Sequence, residues 1–226
     1  MKIRPILFST PMVEAILEKR KTQTRRTQGL KIINEEPERY MISKAVDIFN
    51  VDDLDALEEF ELRAKFKAGD ILWVRETFRY AHHYGIDYEF VQYKDGSTNT
   101  HCEIPDKDQI LHDDKWKPSI FMPKAACRIF LEVTDVRAER LHDISEEDAI
   151  AEGIIPLSMS SMQMASYGQL YFDYSKPKQF FKEGVPSFWS FNSLWCSING
   201  TESWEADPFV FVYDFKRVEK PENFLV

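Results

Sequence analysis

Runs of hydrophobic residues, some continuous and some alternating, predict three strands in this chain. A continuous run fills residues 71–78 directly behind the turn signal Gly69-Asp70, which is typical of a buried strand. Hydrophobic and polar positions alternate along 128–136 and again along 208–216, which indicates strands with one buried face. We expect all three strands to belong to one sheet.

Hydrophobic residues spaced three and four apart predict three helices, over residues 11–20, 146–152 and 188–198. Thr10 and Pro11 supply an N-cap and a first helical residue for the first of them. Ser145 is a capping residue for the second, and Gly153 ends it. Together with the strands, these helices predict an α+β fold.

Glu152 lies in the last turn of the second predicted helix. A carboxylate at that end opposes the helix dipole at a cost of about a few tenths of a kcal/mol. The cost disappears if the side chain is exposed. We therefore expect Glu152 to be either solvated or matched by a partner with a purpose.

Three polar stretches separate the predicted elements, at about residues 27–68, 79–115 and 156–186. Long loops in a compact domain are usually functional or mobile, so we expect the second and third to line the rim of a functional site. A chain of 226 residues can fold around one undivided core. We therefore interpret residues 1–226 as a single domain that carries these stretches as insertions.

The composition is that of an ordinary globular protein. Hydrophobic residues make up 43% and aromatic residues 14% of the chain, which excludes global disorder. No stretch approaches the roughly 18 apolar residues of a membrane helix, and the N-terminus has no signal-like apolar run. We therefore expect a cytoplasmic protein with no membrane partner. The formal net charge of -9 disfavours a protein that coats nucleic-acid duplexes.

One segment departs from this acidic balance. Residues 19–31 include six basic residues and no carboxylate. A solvated charged face is one explanation, and the favourable interaction of cations with the end of the first helix is another. Neither explains Thr22 and Thr24. Because the run contains no carboxylate, we expect this segment to form the deepest positive cleft and to hold anions beside Arg25 or Arg26.

Several kinds of site are excluded by the motifs that the sequence lacks. His82 and His83 have no metal-ligand spacing, and Cys102, Cys127 and Cys196 are too far apart for a CxxC pair. The absence of GxGxxG, P-loop and GxSxG motifs excludes dinucleotide binding, common nucleotide hydrolysis and the usual serine hydrolases. We therefore predict no metal and no cofactor.

The tryptophans offer aromatic surfaces of the kind that stack on bases. Trp73 lies in the first predicted strand and Trp195 in the third predicted helix, while Trp204 lies just before the last strand. Their regular spacing is what core packing requires. We therefore expect most of them to lie in the core.

The segment 19–26, Lys-Arg-Lys-Thr-Gln-Thr-Arg-Arg behind a helix, resembles a motif of the ASCH family. The run 69–76, Gly-Asp-Ile-Leu-Trp-Val-Arg-Glu, is similar to a second block of that family. Segments 116–123, 144–153 and 195–215 resemble the larger, phage-associated branch. These blocks cover about half of the chain.

The resemblance implies a PUA-like fold, a small mixed β-barrel with a flanking helix, whose relatives bind RNA or modified nucleosides. An amidohydrolase of the family cleaves the amide of N4-acetylcytidine with a lysine, a threonine and a glutamate. Its motif Gly-Arg-Lys-Thr-x-Thr-x-Arg matches residues 19–26, with Lys19 in place of the glycine. By that match the catalytic residues are Lys21, Thr24 and Glu152. The implied substrate-binding residues are Thr22, Arg25, Arg26, Arg75 and Glu76.

The chemistry of such a trio is consistent. A desolvated lysine among cations can lose its proton near neutral pH and then activate a threonine hydroxyl, while Glu152 orients Lys21 or carries protons. The guanidinium group of Arg25 or Arg26 is suited to an oxyanion. An extended chain points Lys21 and Thr24 to opposite faces, so the trio requires a turn between them.

Two other interpretations stay open at this point. Lys21 and Glu152 form an ordinary salt bridge if the protein is a noncatalytic module that binds RNA or nucleotides. The protein is a structural or partner-binding phage protein if a large apolar patch, rather than a basic cleft, is its main surface.

Overall fold

The structure is a computed structural model, and it describes residues 1–35, 63–82, 89–99, 115–176 and 184–224. The strands are β1 (Ile3–Leu7), β2 (Gln23–Arg26), β3 (Ile71–Arg75), β4 (Phe78–His82), β5 (Glu89–Tyr93), β6 (Thr98–Asn99), β7 (Phe130–Arg140) and β8 (Phe209–Val218). The helices are α1 (Thr10–Leu17), α2 (Lys31–Glu35), α3 (Glu146–Ala151), α4 (Ser161–Tyr167), α5 (Ser187–Asn199) and α6 (Thr201–Glu205). The predicted α+β class is confirmed.

The chain forms two compact units. The first contains Met1–Glu18, Ala68–Thr134 and Phe215–Val226, and the second contains Lys19–Lys67 and Asp135–Asp214. β7 and β8 therefore have residues in both units. The basic segment and α3 belong entirely to the second unit.

The three strands predicted at 71–78, 128–136 and 208–216 are β3, β7 and β8, and they share one sheet, as expected. The strand order of this sheet is β1-β3-β7-β8-β2. β1 pairs with β3 in parallel, whereas β3 pairs with β7 in antiparallel fashion. Within the described residues β1 and β2 are the two edges of an open sheet, so the expected barrel is not confirmed.

A second sheet, of order β4-β5-β6, corrects the expectation that residues 79–115 are irregular. Its inner face consists of large side chains that include Tyr80, Val91 and Tyr93. The residues between them along the strands lie on the other face. Gly96, with φ 85°, allows the tight turn that returns the chain into β6. The Asp-Gly pair at 95 and 96 is a hairpin signal that identifies this sheet in the sequence. Residues 83–88 and 100–114 lie outside the described part of the chain.

The second unit packs α3 and α5 around a core that includes Phe191, Trp195 and Val212. Trp195 is only 5% exposed, which confirms its expected place in the core. Both faces of β8 are buried within this unit, since Phe211 and Val212 are almost fully enclosed. An inner strand covered on both faces reads as a continuous apolar run, which explains the aromatic and valine content here.

Two stretches expected to be polar excursions contribute buried residues. In the stretch 27–68, Leu30 and Ile33 are completely buried, and most of the remainder lies outside the described residues. In the stretch 156–186, Tyr171 pairs through isolated bridges with the backbones of Pro156 and Val185. These apolar residues fix the stretches to the second unit, so neither is a free loop throughout. No helix in the described part of the chain is long and apolar enough to cross a bilayer.

Candidate functional site

The basic segment leads into β2, which pairs antiparallel with β8 in the register Thr24 to Tyr213. Two residues before β2, Lys21 forms an isolated antiparallel bridge with Glu152 at the end of α3. Ser145 caps α3 by accepting a hydrogen bond from the backbone N–H of Asp148, as predicted. The start of β2 therefore lies against the last turn of α3.

Lys21 and Glu152 form a buried ion pair. The Lys21 Nζ lies 2.6 Å from the Glu152 Oε2 and 2.9 Å from the Glu152 backbone oxygen. The side chains of Lys21 and Glu152 are 1% and 6% exposed, so water screens the pair very little. Of the two outcomes expected for Glu152, solvation or a partner, the structure shows a partner.

The basic segment also completes the C-terminus of α3, whose last carbonyl groups have no partner within the helix. The donor and acceptor pairs are Thr22 N to Ala151 O at 2.9 Å, Lys21 Nζ to Glu152 O at 2.9 Å and Arg20 Nη1 to Gly153 O at 2.6 Å. Cations at this end of a helix also oppose its partial negative charge. Part of the basic run is thus explained by structure alone.

Arg25 is enclosed by carboxylates. Its guanidinium group donates to Glu139 at 2.7 Å, to Glu152 at 3.1 Å and to Asp148 at 3.2 Å. The Arg25 Nη1 also donates to Gln23 Oε1 at 2.6 Å. Since every nitrogen of this buried guanidinium has an acceptor, Arg25 is occupied with protein groups rather than open to a bound anion.

The two oxygens of the Glu152 carboxylate are divided between two cations. Oε2 accepts from Lys21 and Oε1 from Arg25. Burial alone raises the pKa of Glu152, but the positive charges of Lys21 and Arg25 outweigh that effect and hold its pKa below the usual range. Because an arginine does not lose its proton in proteins, Arg25 keeps Glu152 ionised.

Lys21 experiences the opposite balance. Burial lowers the pKa of its amine, the attraction of Glu152 opposes this only in part, and the charges of Arg26 and Arg25 lower it further. Lys21 therefore releases its proton at a lower pH than an exposed lysine does. A lowered amine pKa is one requirement of a lysine base.

Thr24 is fully buried, and its Oγ1 has no hydrogen-bond partner. A buried hydroxyl without a partner costs about 1 to 3 kcal/mol, so it requires an explanation. Its neighbours Gln23 and Arg25 contact α3 and its carboxylates, which places Thr24 with Arg26 on the alternate face of β2. Thr24 is thus close to the ion pair along the chain but makes no hydrogen bond with it.

Arg26 and Thr22 complete the segment. The Arg26 guanidinium donates to the Arg25 backbone oxygen at 3.1 Å. Burial lowers the pKa of Arg26, and the charge of Glu152 raises it in part. Thr22 is exposed.

Lys19 marks the position at which the sequence departs from the family motif. Its φ of 63° lies in the left-handed region. Glycine adopts this conformation freely, whereas a lysine is disfavoured there by roughly 1 to 2 kcal/mol. Lys19 therefore occupies a backbone conformation that a glycine would adopt without strain.

Arg75 and Glu76, also predicted to bind substrate, belong to the first unit. Glu76 accepts two hydrogen bonds from Arg128, at 2.8 and 2.7 Å. Arg75 lies over the Trp73 ring at 5.3 Å and donates to the Ile120 backbone oxygen. These contacts give both residues structural partners within their own unit.

A group of polar residues around the ion pair did not follow from the sequence. Arg137 on β7 binds Asp148 at 2.7 Å and Asp214 at 2.6 Å, and Gln23 donates to the same two carboxylates. The sequence does carry one signal. Arg137 and Glu139 are two residues apart on β7, so they share one face of the strand, and Glu139 accepts from Arg25 there. In the described part of the chain, no group of three or more His, Cys, Asp or Glu residues is arranged to hold a metal ion.

The second unit is expected to lose stability in acid. Burial raises the pKa of Glu152 and that of Asp148, but other effects prevail and hold both below their usual values. These are chiefly the charge of Lys21 for Glu152, and the Gln23 hydrogen bond with the arginine charges for Asp148. Carboxylates with depressed pKa values stabilise the folded state above their unfolded pKa, and this contribution disappears as the pH falls through the folded pKa. Urea unfolding between about pH 3 and pH 7 should show stability falling below about pH 4.5.

Two variants test the origin of this acid limb. Glu152→Gln should flatten it, because the variant has one fewer group that must be protonated. Glu147→Gln is the control, since Glu147 is exposed on the same helix. Equal slopes for the wild type and Glu152→Gln exclude Glu152 as a source of the acid limb.

Comparisons with family models, with curated proteins and with solved structures found no match for this chain.

Proposed function

We propose that this chain is an ASCH-type protein with a PUA-like fold that hydrolyses the amide of an acylated cytidine, free or within RNA. One observation carries the proposal: the buried amine of Lys21 faces a carboxylate that Arg25 keeps charged. Burial and neighbouring cations lower the pKa of that amine. Such a lysine is suited to remove a proton from a nucleophile.

Thr24 is the nucleophile in this proposal. Its buried hydroxyl has no hydrogen-bond partner. Because Thr24 lies on the alternate face of β2, the proposal requires substrate binding to bring its Oγ1 within reach of the Lys21 amine. The Thr24 Oγ1 attacks the acyl carbon while Lys21 accepts the hydroxyl proton. The bond between the acyl carbon and N4 of cytidine then breaks, and the proton passes from Lys21 to N4.

Water completes the cycle. Lys21 accepts a proton from water as its oxygen attacks the acyl group on Thr24, and the proton returns to the Thr24 oxygen when the ester bond breaks. The products are cytidine and a carboxylic acid, and the reaction requires no cofactor. Glu152 contributes by fixing the Lys21 amine and by stabilising its protonated form between the two steps.

Arg26 is the preferred group for the developing oxyanion or for a phosphate of the substrate. Arg25 is less suited, because its guanidinium nitrogens already donate to Glu139, Asp148 and Glu152. The planar donors of a guanidinium group match an oxyanion geometrically.

A noncatalytic module that binds RNA or nucleotides is the second candidate. The observation that favours it is the use of Arg20, Lys21 and Thr22 to complete the C-terminus of α3. In that case the ion pair holds β2 against the helix, and no proton needs to move. The two candidates differ in turnover rather than in affinity.

A panel of N4-acylated cytidines, followed by the change in absorbance on deacylation, tests the proposal on the full chain. Turnover by the wild type supports the hydrolase. Binding of a short labelled RNA without turnover of any acylated cytidine favours the binding module. Activity retained in Lys21→Ala contradicts the mechanism even if the hydrolysis itself is real.

A further inference from the structure

The three-stranded sheet of the first unit has one face in the hydrophobic core and one face turned away from it. Phe78, Tyr80, Val91 and Tyr93 point into the hydrophobic core of this unit. Residues between them in the two strands point the other way, because successive side chains of a strand alternate. The outward positions of the sheet are Arg79, Ala81, Phe90, Gln92 and Thr98. Thr98 is exposed, Arg79, Phe90 and Gln92 are half-buried, and Ala81 is buried.

Trp116 lies beside this outer face. Its neighbour Lys117 pairs with Phe78 at the edge of β4 through two backbone hydrogen bonds. The guanidinium carbon of Arg79 is 4.9 Å from the centre of the Trp116 ring, and the Lys94 Nζ is 4.1 Å from it. The Trp116 indole ring is thus held between two cations at the edge of this sheet.

The position of Arg79 is fixed from the neighbouring strand. Gln92, opposite Arg79 in the register of β4 and β5, accepts a hydrogen bond from the Arg79 Nε at 2.8 Å. Lys94, by contrast, is exposed on a long flexible side chain. A planar ligand that displaces the Lys94 amine from the ring gains the ring face and leaves the ammonium group available to a phosphate.

The outward positions of this sheet carry positive charge on a protein whose formal net charge is -9. Arg79 and Lys94 are cations, and no outward position from β4 to β6 is a carboxylate. Asp95, in the turn beside Lys94, is instead held by Arg128 at 2.9 Å. The local charge therefore favours a polyanion despite the acidic average.

We propose that this outer face, defined by Arg79, Gln92, Lys94, Thr98 and Trp116, binds a single strand of nucleic acid. A base stacks on the Trp116 ring, and Arg79 and Lys94 contact the flanking phosphates. Stacking on an aromatic ring together with a basic track is the usual means of holding single strands without sequence preference. A duplex covers its base faces by stacking, and an acidic peptide has no ring for Trp116.

This surface belongs to the first unit, whereas Lys21 belongs to the second. The inference therefore does not depend on the proposed hydrolysis. Binding of a strand by the Lys21→Ala protein supports the binding site on the outer face even if the proposed hydrolysis is disproved. The inference is overturned if Lys21→Ala abolishes binding of the strand while Trp116→Ala binds it as the wild type does. That result leaves the proposed function standing.

Fluorescence anisotropy with a labelled oligouridylate of about 12 nucleotides tests the outer face on the full chain at about 50 mM salt. Trp116→Ala should weaken binding by roughly 5- to 150-fold, whereas Trp116→Phe keeps a ring and most of the affinity. The control Trp189→Ala removes an exposed indole, 56% accessible, from α5 in the second unit. It should not change the affinity.

The salt dependence supplies a second readout. Lys94→Gln should weaken binding and lower the slope of log affinity against log salt by about 1. The matched control is Lys216→Gln. Lys216 is an exposed lysine of the same unit, and its Nζ lies 3.1 Å from the Glu132 Oε2. Circular-dichroism melts show whether the Trp116→Ala protein folds. If it does not, the affinities of Lys94→Gln and Trp116→Phe for the strand test the inference in its place.

Three further results overturn the inference. The first is absence of strand binding by the wild type at low salt. The second is equal affinity of the wild type and a folded Trp116→Ala protein, or of the wild type and Lys94→Gln if the alanine variant does not fold. The third is binding of polyglutamate as tight as that of the oligonucleotide, which identifies a site for acidic peptides. An oligodeoxynucleotide measured in parallel shows whether the 2′-hydroxyl contributes.

Discussion

Lys21→Ala, Thr24→Ala and Glu152→Gln should each remove most of the deacylation of an acylated cytidine, by about 10²- to 10⁴-fold in kcat. The reason is that the three groups perform one proton transfer. Lys21 removes the proton, Thr24 supplies the attacking oxygen, and Glu152 holds the amine through a bond of 2.6 Å. Initial rates from absorbance, on purified full-length variants, provide the measurement.

The losses should not add. When several residues serve one chemical step, removal of any one leaves the others without effect, so the double variant of Lys21 and Thr24 should be little slower than either single variant. Additive losses contradict a shared step. They point instead to separate contributions from substrate binding.

Matched substitutions separate chemistry from folding. Thr27→Ala removes an exposed hydroxyl just after β2, and Lys31→Ala removes an exposed amine at the start of α2. Glu147→Gln neutralises an exposed carboxylate on α3. All three should retain wild-type rates. The Tm of each active-site variant must be recorded, because a buried ion pair broken on one side also destabilises the fold.

Local sequence signals predicted the framework of the site well. Ser145, Gly153 and the apolar spacing between them placed α3, and its last turn placed Glu152. The dipole argument left Glu152 either solvated or paired, and the structure pairs it with Lys21 and Arg25. Capping and helix spacing involve residues that are close in sequence, and this is why they can be deduced from a single chain.

The contacts between distant segments could not be deduced in the same way. Arg25 was expected to bind an anion of the substrate because no carboxylate is near it in sequence. Its acceptors come from β7 and α3, more than 100 residues away, at Glu139, Asp148 and Glu152. Charge patterning along the chain detects only neighbours, so it overestimated how positive this segment is.

The second sheet was missed for a different reason. Tyr80, Val91 and Tyr93 follow a strand pattern, but His, Asp and Lys residues between them obscured the period. The hairpin signal at Asp95 and Gly96 is the stronger indication, since this pair suits tight turns between strands. It was outweighed by the polar composition of the whole stretch.

Arg25→Met is expected to cause the largest loss of stability, about 3 to 5 kcal/mol in the free energy of unfolding. The Arg25 side chain is 1% exposed, and its removal leaves the carboxylates of Glu139 and Glu152 without their shared cation. Methionine preserves much of the packing against Phe191, whose ring centre lies 5.6 Å from the guanidinium carbon. The loss therefore measures charge rather than volume.

Arg137→Met is the matched control, because Arg137 pairs with the same Asp148 but its side chain is 34% exposed. Water screens such a pair, so the expected loss is about 1 kcal/mol or less. Arg25→Lys should recover little, since an ammonium group cannot reach three carboxylates with the geometry of a guanidinium group. Urea unfolding at neutral pH measures all three variants. Equal losses for Arg25→Met and Arg137→Met contradict a burial-dependent network, and a stable Arg25→Met protein shows that Lys21 alone suffices to hold Glu152.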